Sequence, residues 1–268
     1  MSSYYNVMAG VIVKPKYSEA ILLPQPLNTP KPFFTTVSQQ FDWKHSPSLI
    51  NDFKQQLLLP KMYSYPGPKM SIADVNDDRL EDVFIAAGPG QPSSLWVQNM
   101  NGKFILGHEF KSETAVTNAC FFDADMDGDQ DLFMVNGGYN LTNKFLQDHL
   151  YLNNGKGRFT LSNNALPGES HNGAIALPID IDQDQDVDLF IGNNIIPGSY
   201  PLYHSSQFLL NDGKGNFQLK NDLVEGVDNL GIVNTGITLD LNRDNKQDLI
   251  IAGEWSPIRV FINLDGKL

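Results

Sequence analysis

Residues 121–138 read FFDADMDGDQDLFMVNGG. Acidic side chains stand at alternate positions, Asp123, Asp125, Asp127, Asp129 and Asp131, with Gly128 in the bend. An apolar run, Leu132 to Val135, follows at once. Two like charges about 5 Å apart at an effective dielectric of ~20 repel by roughly 3 kcal/mol. Five carboxylates this close therefore either splay into solvent or close on a cation. A set of oxygen donors in a flexible loop favours Ca²⁺ over Zn²⁺ or a redox metal.

The pattern recurs. Numbering the loop 1 to 9, the alternate positions in the four copies are Asp74, Asn76, Asp78, Leu80 and Asp82; Asp123, Asp125, Asp127, Asp129 and Asp131; Asp180, Asp182, Asp184, Asp186 and Asp188; and Asp240, Asn242, Asp244, Lys246 and Asp248. Positions 1, 3, 5 and 9 always carry an oxygen side chain. Position 7 varies, as expected if only its backbone carbonyl is a ligand. All twenty positions are candidate metal-site residues, for up to four Ca²⁺.

The copies start 49, 57 and 60 residues apart, the period of a repeat architecture. Strand-like runs precede each loop (MSIAD, NACFFD, AIALPID, TGITLD) and follow it (DVFIAAG, DLFMVNGG, DLFIGNN, DLIIAG). A third run comes later (LWVQN, LYLNN, FLLND, VFINL), and a glycine-bearing turn leads to a fourth (NGKFIL, GKGRFTL, GKGNFQL, DGKL). Four short strands per unit make one small antiparallel sheet. Such sheets repeated radially are propeller blades, so the expected fold is an all-β propeller of four-stranded antiparallel blades starting near residues 70, 119, 174 and 235. An EF-hand shares the opening Asp-x-Asp-x-Asp-Gly but needs Glu at loop position 12 and flanking helices. Position 12 is Ile85, Met134, Ile191 and Ile251, each inside an apolar run.

Asp-x-Asp-x-Asp-Gly-x-x-Asp-Leu before an apolar strand, with LYLNNGKGRF and FLLNDGKGNF downstream, resembles FG-GAP/VCBS repeats, the calcium-binding blades also seen in integrin α-subunit propellers. GPKMSIADVNDDRLEDVFIAAGPGQPSSLWVQ and PGSYPL add a likeness to bacterial VCBS-repeat proteins related to cartilage acidic protein, which often carry ASPIC/UnbV modules. The resemblance spans about residues 33–268. It implies four Ca²⁺ loops and no catalytic residue. It also implies an extracytoplasmic location and a place within a larger, seven-bladed propeller, this chain stopping as its fourth repeat begins its last strand; the alternative is an unusual four-bladed ring closed by the N-terminal strand. Position 6 departs from glycine at Arg79, Gln185 and Asn245. Arg and Gln are strained where φ is positive, so the first loop is the weakest candidate.

The chain has 268 residues and a net charge of −12, and 18 of its 31 acidic residues fall inside the four loops. The acidity is thus a set of cation sites rather than a polyelectrolyte tail, and no basic stripe invites nucleic acid. The single cysteine, Cys120, allows no intrachain disulfide and sits in an apolar strand, where a small buried hydrophobe is expected. No run is long enough to span a membrane, and the first residues do not read as a signal peptide.

Residues 1–32 hold no loop copy, and the prolines from Pro24 to Pro32 read as a stiff linker. Phe33 to Val37 is a candidate closing strand. Residues 48–59 place Leu49, Ile50, Phe53, Leu57 and Leu58 on a helical stripe, so a helix is expected there. Inserts between second and third strands lengthen along the chain and offer Tyr139, Tyr200, Tyr203 and His204 to a partner, with local packing as the plainer role.

These features point to a calcium-stabilised, non-catalytic binding or scaffold module of a larger protein, used in adhesion or ligand capture, with an unidentified protein or carbohydrate as partner. At ten- to twenty-fold excess over Kd each ion adds about 1.4–1.8 kcal/mol. The alternative is a glycan-active hydrolase or lyase on the same scaffold. Glu169 with His171 is then the one local acid–base pair to test.

Overall fold

A computed structural model describes residues 41–64, 67–139, 146–168 and 171–268. The linker, the candidate closing strand at 33–37, residues 140–145 of the second insert and Glu169 lie outside these residues.

The described residues form four antiparallel sheets. The first is β1 (Met70–Ala73), β2 (Asp82–Ile85), β3 (Ser93–Gln98) and β4 (Phe104–Phe110); the second is β5 (Ala115–Phe122), β6 (Asp131–Gly137), β7 (His149–Leu152) and β8 (Thr160–Leu161). The third is β9 (Gly173–Ile179), β10 (Asp188–Asn193), β11 (Gln207–Leu210) and β12 (Gln218–Leu219); the fourth is β13 (Ile232–Leu239), β14 (Asp248–Glu254) and β15 (Arg259–Phe261). Each is a meander in chain order, as the short turns require. The four acidic loops join first to second strands. The fourth sheet has three strands, because DGKL contributes a turn and no strand.

The first strands lie side by side in order, β1 by β5, β5 by β9 and β9 by β13. This is the blade arrangement the repeats predict. Polar bonds tie neighbours together: Ser71 Oγ donates to the Ala119 carbonyl at 2.5 Å, Thr117 Oγ1 to the Gly173 carbonyl at 2.9 Å and Thr238 Oγ1 to the Pro178 carbonyl at 3.0 Å.

The core is divided into layers between blades. Second strands are apolar without alternation because both faces are covered. Leu132 and Met134 of β6 pack towards the first blade with Phe84, Leu95 and Phe110. Phe133 and Val135, on the other face, pack towards the third blade with Leu189, Ile191 and Leu209. Phe190 then faces Val233, Leu249 and Ile251 of the fourth. Cys120 packs at the edge of the second layer, and burial pushes its thiol up to about 12, so it behaves as a hydrophobe.

The helix expected over residues 48–59 is one turn, Asp52–Gln55. Leu49, Leu57 and Leu58 of the predicted stripe are exposed, while Leu59 and Asp52 are buried. The physical reason is Asp52. Its Oδ2 accepts the N–H groups of Tyr63 (2.6 Å) and Ser64 (2.8 Å), folding the segment back after one turn. Leu59 then packs with Tyr63, Tyr139, Ile195 and Ile232, with Tyr200 and Tyr203 against them. Three of the aromatics offered to a partner are therefore packed together.

Candidate metal centre

The four loops share one backbone path. Positions 4 and 6 are left-handed in every copy: Asp77 and Arg79, Met126 and Gly128, Gln183 and Gln185, Arg243 and Asn245, with φ between 60° and 92°. Seven non-glycine side chains thus hold a conformation that costs roughly 1–2 kcal/mol each. The position-1 carboxylate holds this path in place. Its Oδ2 accepts the N–H of position 6, at 2.6 Å for Arg79 on Asp74, 2.9 Å for Gly128 on Asp123, 3.3 Å for Gln185 on Asp180 and 2.9 Å for Asn245 on Asp240. Position 5 adds a second brace, its Oδ1 accepting the N–H of position 7 at 2.9–3.1 Å in each loop.

Position 9 is buried in every copy. One oxygen accepts the N–H of position 2, and the other accepts the N–H at the end of the third strand. The pairs are Val75 (3.2 Å) and Gln98 (2.8 Å) on Asp82, Ala124 (2.9 Å) and Asn153 (2.7 Å) on Asp131, Ile181 (3.2 Å) and Asn211 (2.8 Å) on Asp188, and Leu241 (2.9 Å) and Asn263 (2.8 Å) on Asp248. A carboxylate read as a ligand is also the staple between the loop and its own blade.

A further set of residues escaped the sequence reading. Asn153, Asn211 and Asn263 donate Nδ2–H to the carbonyls of Val75 (2.8 Å), Ala124 (2.9 Å) and Ile181 (2.7 Å). Each acceptor is position 2 of the preceding blade's loop. Each asparagine therefore clamps one blade's loop to the next blade, and the recurring Asn after the third strand was the available signal. The glycine turn that follows is wedged against the same loops. A Cβ on Gly213 would meet Met126 Sδ at 3.0 Å, and one on Gly155 would meet Asp129 Oδ2 at 3.3 Å.

Beyond this common frame the loops diverge. In the second and third, single oxygens of Asp123, Asp125 and Asp131, and of Asp180, Asp182 and Asp188, lie within 4.8 Å of one another. Among the described residues, the buried oxygens Oδ1 of Asp125, Asp129, Asp180 and Asp186 have no hydrogen-bond partner. Asp129 and Asp186 are at position 7, where a backbone ligand alone was expected. Burial and the neighbouring carboxylates push Asp129 and Asp186 up to about 6, and burial chiefly pushes Asp131 and Asp188 up to about 7. The first and fourth loops are quenched internally. Asn76 Nδ2 donates to Asp78 Oδ2 at 3.1 Å, and Asn242 Nδ2 to Asp244 Oδ2 at 3.0 Å. That amide is the chief cause of the lowered pKa of Asp244, while Leu80 adds no oxygen and Lys246 reaches out to Asp265 at 2.5 Å. Among the described residues no acidic trio forms in either loop.

Carboxylate oxygens converging at this distance, with unpartnered oxygens in the same loops, fit a hard divalent cation with oxygen ligands. Calcium would be held by Asp123, Asp125 and Asp131 with Asp129 in reach, and by Asp180, Asp182 and Asp188 with Asp186. Its contribution there would be charge neutralisation and cross-linking of the loop.

The other candidates are scattered. The His171 and His204 rings are 5.2 Å apart, and His108 packs on Phe110 at 4.4 Å. No described helix is long and apolar enough to cross a membrane. Compared with curated proteins, the chain gives no match. The family described as the FG-GAP-like repeat matches residues 74–134 and 123–191. Both matches open on position 1 of a loop and close on position 12 of the next, so each spans one blade-to-blade step. Two stretches of the chain thus resemble FG-GAP-like repeats, and the same loop-and-strand unit continues beyond them to the loop at Asp240.

Proposed function

We propose that the protein is a calcium-stabilised propeller module that binds or scaffolds a partner without catalysis, within a larger extracytoplasmic protein of the VCBS-repeat kind. The observation that carries the metal reading is that, of the four loops, the second and third hold four buried, unpartnered carboxylate oxygens and the first and fourth hold none among the described residues. A buried charge without a partner is costly, and a divalent ion removes that cost at both loops together. The number of ions is accordingly two, fewer than the four loops suggest. The first and fourth loops keep the backbone frame and supply their own counter-charges.

Metal in this reading is structural. Two sites at about 1.4–1.8 kcal/mol each give about 3 kcal/mol, a substantial share of a domain's usual 5–15 kcal/mol. At about 2–4 °C per kcal/mol for a domain of this size, chelation lowers the melting temperature by roughly 6–12 °C. Thermal melts in calcium and in chelator, with native mass spectrometry counting retained ions, test the proposal. A melt indifferent to chelator and a spectrum without metal would defeat it. The freedom to bind a partner comes from the scaffold itself: the inserts between second and third strands vary while the blades stay constant, the usual division between frame and recognition.

A further inference from the structure

A cavity of about 480 Å³ opens where the first strands begin, at the end of the blades opposite the acidic loops. Thr117 at its wall and Asp123 in a loop are separated along β5 by about 20 Å, at roughly 3.3 Å per residue. The ladders of β5, β9 and β13 each bulge at this end, skipping Thr117, Ala174 and Asn234, and all three residues line the cavity. Bulges of this kind re-aim side chains beside sites. The volume is that of a small-molecule site.

The polar groups here are unevenly spent. Glu254, at the rim, accepts Lys61 Nζ at 2.5 Å and Asn234 Nδ2 at 3.3 Å on Oε1, and the Tyr63 hydroxyl at 2.8 Å on Oε2. Asn172 Oδ1 accepts the Gly138 N–H at 2.8 Å, and Asn194 Oδ1 accepts the Ile195 N–H at 2.8 Å. These side-chain acceptors are occupied by donors of the protein. Open donor capacity is concentrated at one point: among the described residues Asn194 Nδ2 has no acceptor and Lys69 makes no ion pair, while Asn234 Oδ1 is the side-chain amide acceptor left open. A ligand that brings acceptors to Asn194 and Lys69 is therefore favoured, and Lys69 favours one with negative charge. Most of the protein's acidity lies in the loops at the other end, and the carboxylate at this rim, Glu254, is already paired with Lys61.

Aromatic rings lead away from the cavity. Tyr63 and Tyr200 are 6.0 Å apart, and Tyr200 and Trp255 are 6.4 Å apart. Trp255 is 73% exposed, yet its indole N–H is fixed on the Tyr200 hydroxyl at 2.8 Å. An exposed, immobilised ring beside a polar cavity is suited to stacking on the C–H face of a pyranose, as apolar surface joined to a few placed polar groups is suited to a small ligand.

We propose that the axial cavity binds an acidic sugar: a pyranose carboxylate seated at Lys69 and Asn194, with a following ring of the same saccharide stacked on Trp255. The inference rests on the reading of the propeller as a binding module and adds the chemistry of its ligand. Calorimetric titration of the full chain in calcium, with oligosaccharide pairs that differ only in oxidation at C6 (galacturonan and galactan, glucuronan and glucan, mannuronan and mannan trimers), tests it. One acidic member is expected to bind at least tenfold more tightly than its neutral partner. Lys69→Ala should remove that preference, and Trp255→Ala should weaken the trimer but not the monosaccharide. Equal binding of both members, no binding of any acidic trimer, or an acidic preference untouched by Lys69→Ala would overturn the proposal. A melt of each variant verifies folding. If calcium stabilises the chain while no acidic sugar binds, the ligand assignment alone falls. If calcium does nothing, the metal reading falls and the titration still decides the ligand.

Discussion

The second and third loops differ from the first and fourth chiefly at two positions. Position 3 is Asp125 and Asp182 against Asn76 and Asn242, and position 7 is Asp129 and Asp186 against Leu80 and Lys246. The backbone is indifferent to this change: the left-handed residues at positions 4 and 6 and the braces from positions 1, 5 and 9 are the same in all four. The comparison separates two kinds of acid. Carboxylates at positions 1, 5 and 9 build the bend by accepting N–H groups. Those at positions 3 and 7 bring charge that the bend does not need, and that charge is left to hold an ion together with the oxygens of positions 1 and 9.

The largest expected effect falls on the kind of acid that all four loops share. Replacing position 9 by alanine (Asp82, Asp131, Asp188 or Asp248) strands two buried N–H groups. At about 1–3 kcal/mol for each unsatisfied group, each variant should lose about 2–6 kcal/mol. The loss should be of similar size in calcium and in chelator for Asp82→Ala and Asp248→Ala, since the staple needs no metal. Chemical denaturation of these two variants in both conditions checks this. A loss seen only in calcium would erase the distinction between the two kinds of acid.

A middle-sized effect is expected from the acids that differ. Asp125→Ala and Asp182→Ala should each remove one retained ion and about 1.5 kcal/mol in calcium, with little change in chelator. The reverse exchange sharpens the comparison: Asn76→Asp with Leu80→Asp should give the first loop a third ion. Native mass spectrometry reads both. A wild-type count of four, or a third ion that fails to appear in the exchanged loop, would mean that positions 3 and 7 do not select the metal.

Much of this was legible in the sequence, because a repeat states its own register. Four copies of the loop, with apolar runs on both sides, placed the first three strands of each blade and the acids of each bend. What the repeat did not state was energetic. Nothing in Asp131 distinguishes a ligand from a staple until the N–H groups of Ala124 and Asn153 are seen on its two oxygens. The positive φ at position 4 falls on Asp77, Met126, Gln183 and Arg243, residue types with no common preference for it, so neighbouring bonds impose it. The apolar stripe at 48–59 was overruled by a single buried carboxylate, Asp52, whose bonds to the Tyr63 and Ser64 N–H groups are non-local. The cavity at the far end was invisible for a similar reason: its walls come from the segment before the first blade and from the second, third and fourth blades, residues far apart in sequence.

The smallest expected effect is one of pH, and it separates the loops by their protons. In chelator, Asp131 and Asp188 are pushed up to about 7, and Asp129 and Asp186 to about 6. In the unfolded chain aspartate titrates near 3.9. Between pH of about 4 and about 7 the folded chain thus holds protons that the unfolded chain has released. Stability in chelator must fall as pH rises through that window and level off above it. Calcium needs the deprotonated carboxylates, so its affinity rises over the same window. Melting temperatures with and without calcium should therefore lie close together near pH 4 and stand several degrees apart above pH 7. Removing the charge at position 3 of both loops, with Asp125→Asn and Asp182→Asn, should shrink the gap and flatten the slope in chelator, since neighbouring carboxylates contribute to both shifts. A gap that stays constant from pH 4 to 8 would place the stabilising ion somewhere other than on these carboxylates.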